Sequence, residues 1–141
     1  MNSTNGNAGC GVKGVESTFG EAFNELGGGV YAMELRDEGI RMWLFYRDEI
    51  PDDITAGTPD PSTWSEAIAD FPSTDCDISS HFKNLSVVAN IDVCGSWAGA
   101  TKVYSTQYGC PSNCTAYAAA NPSAFDKSYW QFNYFKVFQA S

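Results

Sequence analysis

His81-Phe82-Lys83-Asn84-Leu85-Ser86-Val87-Val88-Ala89-Asn90-Ile91-Asp92-Val93-Cys94-Gly95-Ser96-Trp97-Ala98-Gly99 is the stretch on which the reading of the chain turns. Its alternation predicts a strand over residues 86–93. Val87, Ala89, Ile91 and Val93 fall on one face, and Val88, Asn90 and Asp92 on the other, because side chains alternate along a strand. His81 opens this segment. After the strand, Gly95 and Gly99 flank Trp97 and permit a sharp turn. An exposed indole beside an amide and a carboxylate suits a sugar: the ring face takes the C–H side and the polar groups take hydroxyls. The competing reading is a core strand followed by a buried tryptophan.

Working outward, Gly27-Gly28-Gly29 opens a strand predicted over 30–35. Arg36-Asp37-Glu38-Gly39 reads as a hairpin turn, with Gly39 supplying a positive φ. The return strand, 40–47, carries large apolar groups on both faces, including Trp43, and is expected to be central. Pro51, Pro59, Pro61 and Pro72 mark residues 48–72 as a surface excursion, since proline does not fit a central strand. Trp64 is expected to fold back as a plug. The adjacent Asp52 and Asp53 read as a solvated turn rather than an acid/base pair, and Asp75-Cys76-Asp77 as an acidic turn tied down by its cysteine. Cys114–Ala120 reads as a short helix stopped by Asn121-Pro122. The segment 128–139 alternates aromatics and reads as a strand, with Trp130, Phe132, Tyr134 and Phe138 on one face. Residues 1–29 read mainly as loop, with Phe19 and Phe23 spaced for one helical turn.

The 141 residues suit one domain spanning 1–141, and 43% hydrophobic content suffices for a core. Charged residues make up 18% and the net charge is −9, with eight unclustered Lys and Arg. That balance argues against nucleic acid and against an anionic membrane surface. Nine Phe, seven Tyr and four Trp exceed what a small core needs, so some are expected at a binding surface. Cys10, Cys76, Cys94, Cys110 and Cys114 match no zinc spacing and predict a disulfide framework with one thiol left over. Together with the sequons Asn2-Ser3-Thr4, Asn84-Leu85-Ser86 and Asn113-Cys114-Thr115, they favour a secreted origin. The polar N-terminus holds no signal core. Either a signal has been removed, or the chain starts within a larger protein. No nucleophile elbow, phosphate loop or metal-ligand cluster is present in the sequence.

Two blocks carry a family resemblance. Val30-Tyr31-Ala32-Met33-Glu34 with Ile40-Arg41-Met42-Trp43-Leu44-Phe45 resembles the VYAxEW…IRxWxF hairpin of glycoside hydrolase family 16. Asn90 through Gly99 resembles that family's N-x-x-x-C/G-G-x-W-x-G strand and loop. Ile50–Gly57 with Pro59–Trp64, Asp75–Ile78 with His81-Phe82, and Asn121–Phe125 resemble the fungal endo-1,3(4)-β-glucanase (laminarinase-like) branch. Leu35 stands where the family has Trp, and Tyr46 where it has Pro. The resemblance implies an all-β, antiparallel β-sandwich jelly roll of the concanavalin-like type, with one short helix near the C-terminus. It also implies a cleft for β-1,3- or mixed-linked glucan and a retaining mechanism with two carboxylates. The family's E-x-D-x-x-E motif does not occur in this chain. In the family it lies N-terminal to the matching portion, so the chain is expected to be the C-terminal half of an incomplete sandwich.

By resemblance Trp97 is the sugar-stacking tryptophan and Asn90 a cleft asparagine. The candidate substrate-binding set is Trp97, Asn90, Asp92, Trp43 and His81, with no catalytic residue, no metal ligand and no cofactor. The expected function is β-glucan recognition without hydrolysis by this chain alone. The rivals are a stand-alone lectin-like binder and an oligomerising interaction protein. The expected partner is β-glucan, joined by a second copy or a complementary chain.

Overall fold

Alternation and a two-residue turn make the hairpin that anchors the first part of the computed structural model, which describes residues 10–139. Strands β1 (Gly29–Arg36) and β2 (Gly39–Tyr46) pair antiparallel, from Gly29 opposite Tyr46 to Arg36 opposite Gly39. A third strand, β3 (Ala69–Pro72), pairs with β2 and completes a sheet of order β1-β2-β3, so β2 is central as expected. The proline-rich excursion therefore returns as an edge strand. Pro72 closes it, at a position where a proline's missing N–H costs the ladder least. Gly39 has φ +149°, and a Cβ there would sit 2.5 Å from the Phe71 carbonyl oxygen. Only glycine lets β3 approach so closely.

Residues up to Leu85 and residues from Ser86 form two compact units. In the first, Trp43, Phe45 and Ile54 form a buried cluster, covered by Val30, Ala32, Ile50, Trp64 and Ala67. Ile54 comes from helix α2 (Asp52–Ala56), which follows α1 (Gly20–Glu25) in chain order. Trp64 packs edge-on against Trp43 at 5.1 Å and against Phe45 at 5.2 Å, so it is the expected plug. Such pairs add about 0.5–1.5 kcal/mol each beyond area burial. On the other face of the sheet, Phe23 of α1 meets Tyr31 and Tyr46.

Asp53 holds the excursion. Its carboxylate accepts the Asp60 N–H at 2.6 Å, the Trp64 indole N–H at 2.8 Å and the Ile54 N–H at 2.7 Å. These donors, the Asp60 amide foremost, pull its pKa below the usual carboxylate value. Asp52 and Asp53 thus begin a helix rather than a solvated turn. Asp77 caps helix α3 (Ile78–His81) by accepting the Ser80 N–H and the Ser79 hydroxyl, and the same groups lower its pKa. His81 therefore closes a helix instead of opening a strand. Cys76 carries a free thiol, so no disulfide ties down the acidic turn.

The second unit departs from the strands expected in it. Residues 86–93 and 128–139 form no strand ladder. Their alternating pattern suits burial against neighbouring strands, and among the described residues neither segment has one. Val87, Val88, Val137 and the aromatics from Tyr129 to Phe138 are exposed. Regular structure here is short: α4 (Gly95–Ala98), a π-helical turn (Lys102–Gln107), the expected helix α5 (Cys114–Ala120) and a 3-10 turn (Pro122–Phe125). One disulfide, Cys94–Cys114, ties the end of the extended segment to the first residue of α5. The broader disulfide framework does not form among the described residues: Cys10, Cys76 and Cys110 are free. The sequon at Asn2 and most of the polar N-terminal stretch lie outside the described residues.

Candidate functional site

Asn90 and Asp92 keep the same-face relation that a period of two predicts. The Asn90 side-chain amide donates to Asp92 Oδ1 at 3.3 Å. Both are exposed. The Trp130 indole N–H donates to the Asn90 carbonyl at 2.9 Å, joining the two extended segments of this unit. Trp130 stacks on Phe132 at 5.6 Å with a 19° interplanar angle. Sequence reasoning did not place Trp130 in the site. The available signal was its position in the aromatic-rich segment 128–139.

Downstream of Asp92 the backbone bends sharply. Cys94 and Gly95 both have positive φ, +71° and +75°. This bend starts α4, which presents Trp97 with 71% of its surface exposed. The reading of a buried tryptophan at this position is thus set aside. Trp97 lies on a one-turn helix rather than in a loop. Asp92 also borders a largely apolar hollow of roughly 440 Å³, whose wall includes Ile91, Val93, Tyr104, Tyr117 and Phe125. Partial desolvation, and then the nearby Cys110, push the Tyr104 phenol's pKa up.

The other two candidates belong to the first unit. Trp43 is 3% exposed and donates its indole N–H to the Ser65 carbonyl at 2.8 Å. Its ring is committed to the core and presents no face to a ligand. His81 is exposed, with Nδ1 at 2.9 Å from the Asp77 carbonyl oxygen and 2.7 Å from the Ser80 hydroxyl. The structure therefore brings Asn90, Asp92 and Trp97 into one unit, gives Trp43 a packing role and leaves His81 on the end of α3. No group of three or more His, Cys, Asp or Glu among the described residues is placed to hold a metal ion.

An antiparallel sheet with an aromatic core, joined to extended aromatic segments, defines the class: an aromatic-rich β-sheet module. The family model described as XgeA-like, catalytic GH16 domain matches residues 1–138, and the chain belongs to that family. It is 47% identical over 134 residues to a probable glycosidase of Schizosaccharomyces pombe, covering 94% of this chain and 32% of that protein. It is 43% identical over 142 residues to a probable endo-1,3(4)-β-glucanase of Aspergillus niger, covering 95% of this chain and 19% of that protein. Among solved structures it resembles Laminarinase 16A of Phanerochaete chrysosporium, described with β-glucans in both donor and acceptor sites. The TM-score is 0.74 at 38% identity, over 91% of this chain and 44% of that one. A GH family 16 β-1,3-glucosyltransferase gives a TM-score of 0.67 at 34% identity, over 83% of this chain and 41% of that one. The chain thus spans about a third or less of these curated relatives and under half of the solved chains. The likeness to laminarinases implies a jelly-roll β-sandwich, of which this chain has part.

Proposed function

We propose that the chain recognises β-1,3- or mixed-linked glucan as part of a secreted GH16 β-glucanase-type module, and that it contributes no catalytic carboxylate of its own. The supporting observation is its 38% identity to a laminarinase described with β-glucans in its donor and acceptor sites. Trp97 stacks on a sugar ring, while Asn90 and Asp92 hydrogen-bond to hydroxyls. Trp43 supports the sheet of the first unit from within its core. The test is a laminarin titration of the chain and of Trp97→Ala. Loss of a stacking aromatic weakens binding by about 1–3 kcal/mol. Because Trp97 is exposed, the melting temperature is expected to hold. A variant that melts far lower, or that binds laminarin unchanged, overturns the assignment of Trp97.

One observation favours a second reading, in which the chain acts through association. The extended segments 86–93 and 128–139 expose a run of large apolar side chains with no ladder partner among the described residues. Such edges pair with other strands, either of a second copy or of a complementary chain that carries the rest of a sandwich. Light scattering across a concentration series distinguishes this from a monomer.

A further inference from the structure

Two sequons fall on described residues, and their surroundings differ. In Asn113-Cys114-Thr115, Asn113 caps α5 and its Oδ1 accepts the Ala116 N–H at 2.9 Å. Cys114 is the first residue of that helix and is bonded to Cys94, and Thr115 follows within the helix. The motif is therefore held at a helix start by both a hydrogen bond and a covalent bond. In Asn84-Leu85-Ser86 all three residues are exposed and lie in neither helix nor strand. Asn84 has φ +52°, the left-handed conformation that asparagine tolerates better than most residues. Its amide makes no hydrogen bond among the described residues.

We propose that Asn84 is a site of N-linked glycosylation and that Asn113 is not. The proposal rests on the secreted reading above. An acceptor sequon needs an accessible surface loop that can enter the transferase. The turn at Asn84 meets that need, and the capped, disulfide-bonded start of α5 does not. In the transfer, Asn84 Nδ2 attacks the anomeric carbon of a lipid-pyrophosphate-linked oligosaccharide. The N–C bond forms, the bond from that carbon to the pyrophosphate oxygen breaks, and the lipid pyrophosphate leaves. The amide gives up one proton to a base of the transferase. No oxidation or reduction is involved. A glycan there stands beside exposed Leu85, Val87 and Val88 and hydrates an apolar stretch.

The experiment secretes the full chain from yeast behind a cleavable leader, so the acceptor is tested apart from the chain's own location. Glycans are released by peptide N-glycosidase in oxygen-18 water, which converts each occupied asparagine to labelled aspartate, and the sites are read by peptide mapping. The expected result is label at position 84 and little at 113, with the label at 84 lost in Ser86→Ala. Import of the same chains into microsomes during translation gives the same readout independently of export. An unlabelled Asn84, or label at Asn113 equal to that at Asn84, overturns the proposal. If the chain's native location is not secretory but Asn84 is labelled behind the leader, the acceptor assignment stands and only the secreted reading falls.

Discussion

Single side chains carry most of the order in the first unit, and Trp43 carries the largest share. Its ring is buried against Trp64, its N–H is satisfied by Ser65, and Arg41 lies over its face at 5.8 Å. Trp43→Ala removes the packing and strands the Ser65 carbonyl, so a stability loss of about 3–5 kcal/mol is expected by thermal or urea unfolding. Asp53 acts by charge. Its folded pKa lies below the unfolded one, so its stabilising effect is present above the ordinary carboxylate pKa and is lost as pH falls through the folded value. Asp53→Asn should therefore lower the melting temperature at neutral pH. That deficit should shrink as pH drops from about 4, where the unfolded carboxyl begins to protonate, through the lower pH at which the folded one does. A deficit constant with pH would show that the side chain works by shape and not by charge.

Elements were legible in proportion to how local their causes are. The β1–β2 hairpin could be read because both its alternation and its turn glycine sit within a few residues. Gly39→Ala is expected to cost more than about 1 kcal/mol, since it puts a side chain at positive φ against the Phe71 carbonyl. Amide exchange should report the loss first at β3. That strand itself was not legible, because four residues ending in proline carry no periodic signal. Helix α5 was legible from its alanines and its asparagine–proline stop. The segments 86–93 and 128–139 were read as strands for a sound reason that is not local: alternation describes what a segment is suited to pack against, while a ladder also needs a partner. Cysteine pairing is non-local in the same way, which is why the Cys94–Cys114 bond could not be chosen from spacing. In the candidate site, the pairing of Asn90 with Asp92 was legible from the alternation, and the bend before Trp97 from the glycines. Trp130 was not, because its contact with Asn90 spans forty residues.

At the scale of the whole molecule, the question is whether this chain can hydrolyse a glycosidic bond. Retaining cleavage places two carboxyl groups about 5 Å apart across the bond, one as nucleophile and one as acid/base. The candidates to substitute for the family's pair are the carboxylates of Glu34, Asp77 and Asp92. Glu34 is held by Arg41 at 2.8 Å and Arg36 at 3.1 Å. Asp77 caps α3, where the Ser79 and Ser80 donors keep it ionised and so unsuited to act as an acid. Asp92 takes the Asn90 amide and suits hydroxyl recognition better than proton transfer. The purified chain is therefore expected to release no reducing ends from laminarin or lichenan, while still binding laminarin. Sustained release that survives removal of contaminating glucanase, and that is abolished by Asp92→Asn or Glu34→Gln, would overturn this. It would mean that a carboxyl pair forms with substrate bound, and that the absence of E-x-D-x-x-E from this chain does not decide its chemistry.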